Sequence, residues 1–368
     1  MTDTVRCGPV VIGAGAIGLS IANTLSKAYD NVIVLELESG PGHHTSSRNS
    51  EVIHSGIYYP QNGLKSQLCL SGKTLLYSFL AERNIPFRRC GKLIVATDDE
   101  MPCLEELKKN ASNLDIAYEV LSENYAAARE PLLNAAAALF IPDTGYFDSH
   151  SFMRSLQGSI LDSGGWISYN SAVSEIIKSG NEWEIVVNNG ALKVNTNTII
   201  NSAGLCADKV ASMAGFTNYK IFFYKGEYYK CSKIKNLKHL IYSVPPANQL
   251  SLGIHTRHYL DGTIGFGPNA YPINTIDYTI DDSKKEEFLY DIRKYININL
   301  LDDDLWPDYS GIRPKIQGGG FGADFIIKNE QCDGDRVMIN LVGIESPGLT
   351  CSLSIADRVA KMLQEHIS

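Results

Sequence analysis

The stretch Pro9-Val-Val-Ile-Gly-Ala-Gly-Ala-Ile-Gly-Leu-Ser-Ile-Ala-Asn-Thr-Leu25, followed by Asn31-Val-Ile-Val-Leu-Glu36, decides the fold. Its first four residues are apolar and largely β-branched, which suits a buried strand. Three glycines follow in the spacing Gly13-x-Gly15-x-x-Gly18, and Ile17, Ile21, Leu25 and Ala28 then recur at helical spacing. The second apolar run ends in a carboxylate 18 residues beyond Gly18. Strand, glycine turn, helix and strand make a βαβ unit, and such units build parallel sheets. In that context the glycines match a dinucleotide-binding fingerprint. Gly13 permits the tight turn, Gly15 lets a pyrophosphate approach the backbone, and Gly18 lets the helix pack close to the strand. The helix N-terminus offers unpaired N–H groups to phosphate, and Glu36 can accept hydrogen bonds from ribose hydroxyls.

Outward from this unit, residues 41–63 are rich in Gly, Ser, His, Asn and Tyr with little periodicity. Such a segment inside a compact chain is commonly functional. The patterning predicts helices over 64–83, 100–113, 149–163, 205–214, 283–299 and 349–366. It predicts strands over 90–97 and 336–342, and hairpins between 172 and 195 around Lys178-Ser-Gly-Asn and Asn188-Asn-Gly. Thr198-Ile-Ile-Asn-Ser-Ala-Gly204 reads as a second strand entering a glycine turn, and 221–267 reads as β-rich. Asp148-Ser149 before a helix is a capping signal.

The chain has 368 residues, enough for about two domains. Lys and Arg number 33 against 41 Asp and Glu, a net charge of −8, which lacks the basic footprint of a nucleic-acid binder. Eight cysteines at irregular spacing form no CxxC pair and no Cys/His cluster, so no metal site is expected and the thiols read as free in a reducing cytoplasm. The N-terminus shows no targeting pattern, which leaves only a peripheral membrane contact open.

The fingerprint alone fits NAD or FAD. Three features favour FAD: the polar loop from Thr45 to Tyr59 after the ribose-binding strand, the mid-chain turn Asn201-Ser-Ala-Gly204, and Gly343-Ile-Glu-Ser-Pro-Gly348 between a strand and the last helix. The last gives a second helix N-terminus for the far end of a long ligand.

The chain resembles the D-amino-acid-oxidase-like FAD-dependent oxidoreductases, and within them most closely the L-2-hydroxyglutarate dehydrogenase family and its bacterial relatives. The segments that carry the resemblance are Thr45-Ser-Ser-Arg-Asn-Ser-Glu-Val-Ile-His-Ser-Gly-Ile-Tyr-Tyr-Pro60, Arg89-Cys-Gly-Lys-Leu-Ile-Val95, Lys225-Gly-Glu-Tyr-Tyr229, Gly265-Phe-Gly-Pro-Asn-Ala270, Gly311-Ile-Arg-Pro-Lys315 and Gly343-Ile-Glu-Ser-Pro-Gly-Leu-Thr350. They follow the family order over nearly the whole chain. Glu51 stands where that family usually has Gly.

The expected fold is therefore α/β: a doubly wound, glutathione-reductase-like FAD-binding domain from 1–85, 146–215 and 330–368, and a β-rich α+β substrate domain from 86–145 and 216–329. The resemblance implies that Gly13, Gly15, Gly18 and Glu36 hold the ADP half, and that Thr45, Ser46, Arg48 and Asn49 line the flavin side of the pyrophosphate. It implies that Val173 offers backbone groups to the adenine and that Ala203 and Gly204 pass close to the cofactor. It further implies that Gly343, Ser346, Gly348, Leu349 and Thr350 face the flavin.

The implied reaction is oxidation of a small L-2-hydroxy acid to the 2-oxo acid by hydride transfer to flavin N5. An amino-acid or amine oxidase of the same superfamily and a non-catalytic flavin-binding protein are the alternatives. His54 is the leading candidate for the proton acceptor; a covalent flavin link and a structural role stay open for it, and His255 is the second candidate. Arg313 is expected to fork onto the substrate carboxylate, with Lys225, Tyr228 and Tyr58 as further substrate contacts and Lys225 or His255 assisting a second carboxylate. The partner is thus a small-molecule carboxylate; the electron acceptor (quinone, oxygen or a protein) is left open.

Overall fold

The computed structural model describes residues 3–245, 252–316 and 323–367. Its centre is a six-stranded sheet in the order Trp166–Ser168, Ile33–Leu35, Val10–Ile12, Thr198–Asn201, Val337–Val342 and Ile326–Asn329. The first five strands are parallel and the last is an antiparallel edge. The sequence reading places Ile326–Asn329 with the β-rich part. Its pairing with Val337–Val342 instead carries it into the central sheet.

Helices Ala16–Leu25, Leu64–Glu82, Ser149–Asp162 and Gly348–Ile367 pack on one face. Their contacts make the largest core, which includes Leu19, Ile21, Phe152, Leu156, Ile355 and Val359. The other face is covered mainly by the antiparallel strands Val173–Ser179, Glu182–Val187 and Leu192–Thr196 with the short helix Ala207–Met213. Alternation along Glu182–Val187 turns Trp183, Ile185 and Val187 inward, and the Trp183 indole N–H donates to the Val337 carbonyl at 3.1 Å.

The remaining chain builds a five-stranded sheet from Phe222–Cys231, His255–His258, Ile264–Gly267, Tyr271–Ile273 and Leu305–Lys315, and a four-stranded sheet from Lys92–Ala96, Glu119–Ser122, Ala137–Ile141 and Leu240–Ser243. Helix Lys285–Tyr295 stops four residues short of the predicted end, because Ile296 turns extended and bridges to Leu133. Asp148 caps its helix as its position predicts, accepting from the Ser151 N–H at 2.8 Å.

Candidate active site

The parallel strands all end on one edge, and a cleft of about 450 Å³ opens along it, the place where open α/β sheets bind ligands. Gly13 lies at the first turn with φ of 105°; a Cβ there would sit 2.6 Å from the Ser202 carbonyl oxygen. At Gly15 a Cβ would sit 2.8 Å from Ser46 Oγ, so glycine keeps the N-terminus of helix Ala16–Leu25 bare beside the Ser46 hydroxyl. Ser46 Oγ accepts from the Ala16 N–H at 2.9 Å. Glu36, nearly buried, accepts from the Ala14 and Glu38 N–H groups at 2.6 and 2.9 Å, which fixes its carboxylate at the end of the second strand. Val173, Ala203 and Gly204 complete this end of the lining. The expected effect of Gly15→Val is a protein purified without flavin; the ratio of visible to ultraviolet absorbance measures it, and a normally yellow variant would refute the cradle.

The 45–49 loop crosses from this end to the five-stranded sheet. Thr45 Oγ1 donates to the Ile312 carbonyl at 3.0 Å. The Arg48 guanidinium lies 4.1 Å over Tyr278 and donates to the carbonyls of His43 and Ser310. The Asn49 side chain is spent within the loop, on the carbonyls of Thr45 and Ser46 and the N–H of Glu51. Thr45, Ser46, Arg48 and Asn49 line the cleft. Glu51 sits in the left-handed region at φ of 56°. It is held there by an ion pair to Arg257 at 2.8 Å and by hydrogen bonds from Ser149.

At the far end His54, His255, Arg313, Tyr228, Ser346, Gly348 and Leu349 meet. The main-chain N–H of His54 donates to Thr350 Oγ1 at 3.0 Å, and its Nε2 lies 3.3 Å from Ser346 Oγ. Its Nδ1 is buried and unpartnered among the described residues. An orphaned lone pair costs less than an orphaned N–H. That assigns the ring proton to Nε2, donated to Ser346. In His255 the assignment is the reverse. Nδ1 lies 3.1 Å from the Thr256 carbonyl, which can only accept, so Nε2 carries the lone pair. The ring is stacked 3.9 Å from Tyr242. Burial lowers the proton affinity of both imidazoles, with Lys92 adding to it, and His255 falls to about 3.

Arg313 Nη1 donates to the Asn269 carbonyl at 3.2 Å. Its side chain crosses Gly226 on the neighbouring strand, where a Cβ would sit 2.8 Å from Nη1. Among the described residues no carboxylate lies within ion-pair distance of it, unlike Lys65 and Lys315, which share Glu345 at 3.0 and 3.1 Å. Tyr228 stacks on Tyr309 at 4.4 Å and its hydroxyl meets Ser50 Oγ at 2.9 Å.

Five of the expected contacts lie elsewhere. Lys225 is turned to the opposite face of its strand from Gly226 and Tyr228, where its ammonium meets Asp277, Glu227 and the Thr279 carbonyl. Tyr58 is behind the cleft, with Lys92 Nζ 4.4 Å from its ring. Gly18 acts through packing alone, since a Cβ would strike the Gly13 carbonyl oxygen. Gly343 shapes the turn after Val337–Val342 at φ of 73°, and Thr350 is buried as the support of the His54 backbone and the Val52 carbonyl. The sequence reading missed Lys65, Lys315 and Lys92. Lys315 had a signal, since it lies two residues beyond Arg313 and so shares its strand face.

Residues 10–362 match the family model described as FAD dependent oxidoreductase. The chain belongs to that family. It is similar to the mitochondrial L-2-hydroxyglutarate dehydrogenase of Arabidopsis thaliana, at 36% identity over 96% of this chain and 83% of the relative. It is also similar to the L-2-hydroxyglutarate dehydrogenase of Indibacter alkaliphilus, at 30% identity over 86% and 78%. In fold it is similar to the L-alpha-glycerophosphate oxidase of Mycoplasma pneumoniae, with a TM-score of 0.88 and 24% identity over 98% of this chain and 95% of that one. This FAD-dependent oxidoreductase therefore has FAD as its cofactor, and the cleft fits it. Gly15 leaves bare backbone at a helix N-terminus, which suits phosphate, Glu36 sets a carboxylate at the end of the second strand, which suits a ribose, and the N-terminus of helix Gly348–Ile367 opens on the far end.

Proposed function

We propose that this enzyme oxidises L-2-hydroxyglutarate, or a close L-2-hydroxy acid, to the 2-oxo acid. The single observation that carries the reading is the meeting, in one cleft, of an arginine that has no carboxylate partner among the described residues and an imidazole whose lone pair is on Nε2. Bound FAD supplies the two-electron acceptor for the hydride on Cα. The protein does the rest. Arg313 holds the C1 carboxylate beside the reacting carbon and so sets its angle. His255 Nε2 accepts the hydroxyl proton as the carbonyl forms. His54, donating to Ser346, orders the opposite wall. The substrate's carboxylates bring negative charge beside both rings and raise their proton affinity as it binds.

The test is an anaerobic titration watched at the flavin absorbance. L-2-hydroxyglutarate should bleach the flavin, while the D-enantiomer and L-glutamate should not. Bleaching by amino acids alone would make it an amino-acid oxidase, and bleaching by none of them would make it a flavin-binding protein. FAD is held without a covalent bond in this reading, since His54 is engaged with Ser346. Acid precipitation should leave yellow FAD in the supernatant, and flavin in the pellet would show a covalent link. A cytoplasmic setting is supported by eight free thiols. Among the described residues no helix is long and apolar enough to cross a membrane, and the proposed partner besides substrate is an electron acceptor reached by diffusion or at a membrane surface.

A further inference from the structure

Lys92 opens strand Lys92–Ala96 and is fully buried. Among the described residues its ammonium has no hydrogen-bond partner and no ion pair. It is held instead by two rings, Tyr58 at 4.4 Å and Tyr242 at 4.5 Å from Nζ. Tyr242 is the ring that stacks on His255. Burying an unpaired ammonium is costly, and a Met would fill similar space without that cost. A buried titratable group behind a cleft is a functional candidate when a physical task can be named for it. Here the task is electrostatic. Lys92 is among the groups that lower the proton affinity of both His54 and His255.

We propose that Lys92 is a positioning residue for the reaction, keeping the rings of His54 and His255 unprotonated from behind so that a substrate proton can be accepted. This rests on the base role given above to His255. The groups around the three residues are few. Lys92 faces Tyr58, Tyr242, Cys69 and the two imidazoles. His54 faces His255, Ser346 and Thr350, and His255 faces Arg313, His258, Tyr242 and Thr256. Among the described residues no carboxylate is one of them. The sign follows. Burial lowers Lys92 to about 7, so it gains its charge as the medium turns acid, where the rings would otherwise take up protons. With the charge removed, the rings protonate at higher pH.

The experiment compares holoenzyme of wild type, Lys92→Met, Lys92→Gln and Lys92→Arg. The rate of flavin reduction by L-2-hydroxyglutarate is followed against pH, and ring protonation is read from ¹⁵N-histidine spectra. The acid limb, and the matching histidine titrations, should move up by about one pH unit in Met and Gln, the size of one nearby charge. They should stay near wild type in Arg, which keeps the charge. Gln serves if Met does not retain FAD, because it keeps a polar terminus. Superimposable profiles and titrations across all four proteins would overturn the proposal. A wild-type profile that His255→Ala leaves unchanged would overturn the base role instead, which separates the two failures.

Discussion

Replacing His255 with Ala is expected to slow flavin reduction by L-2-hydroxyglutarate by roughly 10²–10⁴-fold, the usual contribution of a general base. The alcohol must lose its proton as the hydride leaves, and the Thr256 carbonyl fixes the His255 tautomer that can take it. Because burial lowers this imidazole, it stays unprotonated where an ordinary histidine, near pH 6.5, has begun to gain a proton. The wild-type kcat/KM should therefore hold level from neutral pH to well below that value. His54→Ala should cost about tenfold, since in the assigned tautomer its Nε2 is a donor to Ser346. FAD content should be normal in both, so the loss falls on the reductive step. Stopped-flow reduction of the two variants decides the matter. The reverse ranking would return the role to His54, and near wild-type rates in both would end the base reading.

Arg313→Met should lower kcat/KM for 2-hydroxy acids by about 30- to 1000-fold, corresponding to about 2–4 kcal/mol for a lost charge-assisted bidentate contact. The guanidinium has one N–H on the Asn269 carbonyl and a glycine beneath it, which holds the fork in place while its other donors are available to a carboxylate. Arg313→Lys should recover little, because an ammonium cannot fork and its shorter reach leaves the space over Gly226 unfilled. A simple alcohol without the carboxylate should lose nothing further. Reductive kinetics with both substrate kinds check this. Equal losses on the two, or an active Met variant, would move the clamp to Lys315 or Lys65, the cations that share Glu345 in the same cleft.

Local pattern determined much of this protein. The spacing Gly13-x-Gly15-x-x-Gly18 with Glu36 announced the first βαβ unit and the glycine-lined end of the cleft, because a glycine turn and a strand-end carboxylate act through neighbouring backbone. Apolar period gave the long helices at 64–82, 149–162 and 348–367 within a few residues. Strand parity was also legible in principle. Residues 225 and 228 differ by three on one strand, so Lys225 and Tyr228 could not both face the cleft. What only the tertiary structure decided were meetings between distant segments. The tautomer of His54 depends on Ser346, 292 residues away in the chain. The edge strand Ile326–Asn329 joined the central sheet through pairing with Val337–Val342. Lys92 looks in sequence like any lysine at a strand start. Its burial between Tyr58 and Tyr242, which gives it a task, exists only once three separate parts of the chain have folded together, since burial and field are properties of surroundings and not of a residue's place in the chain.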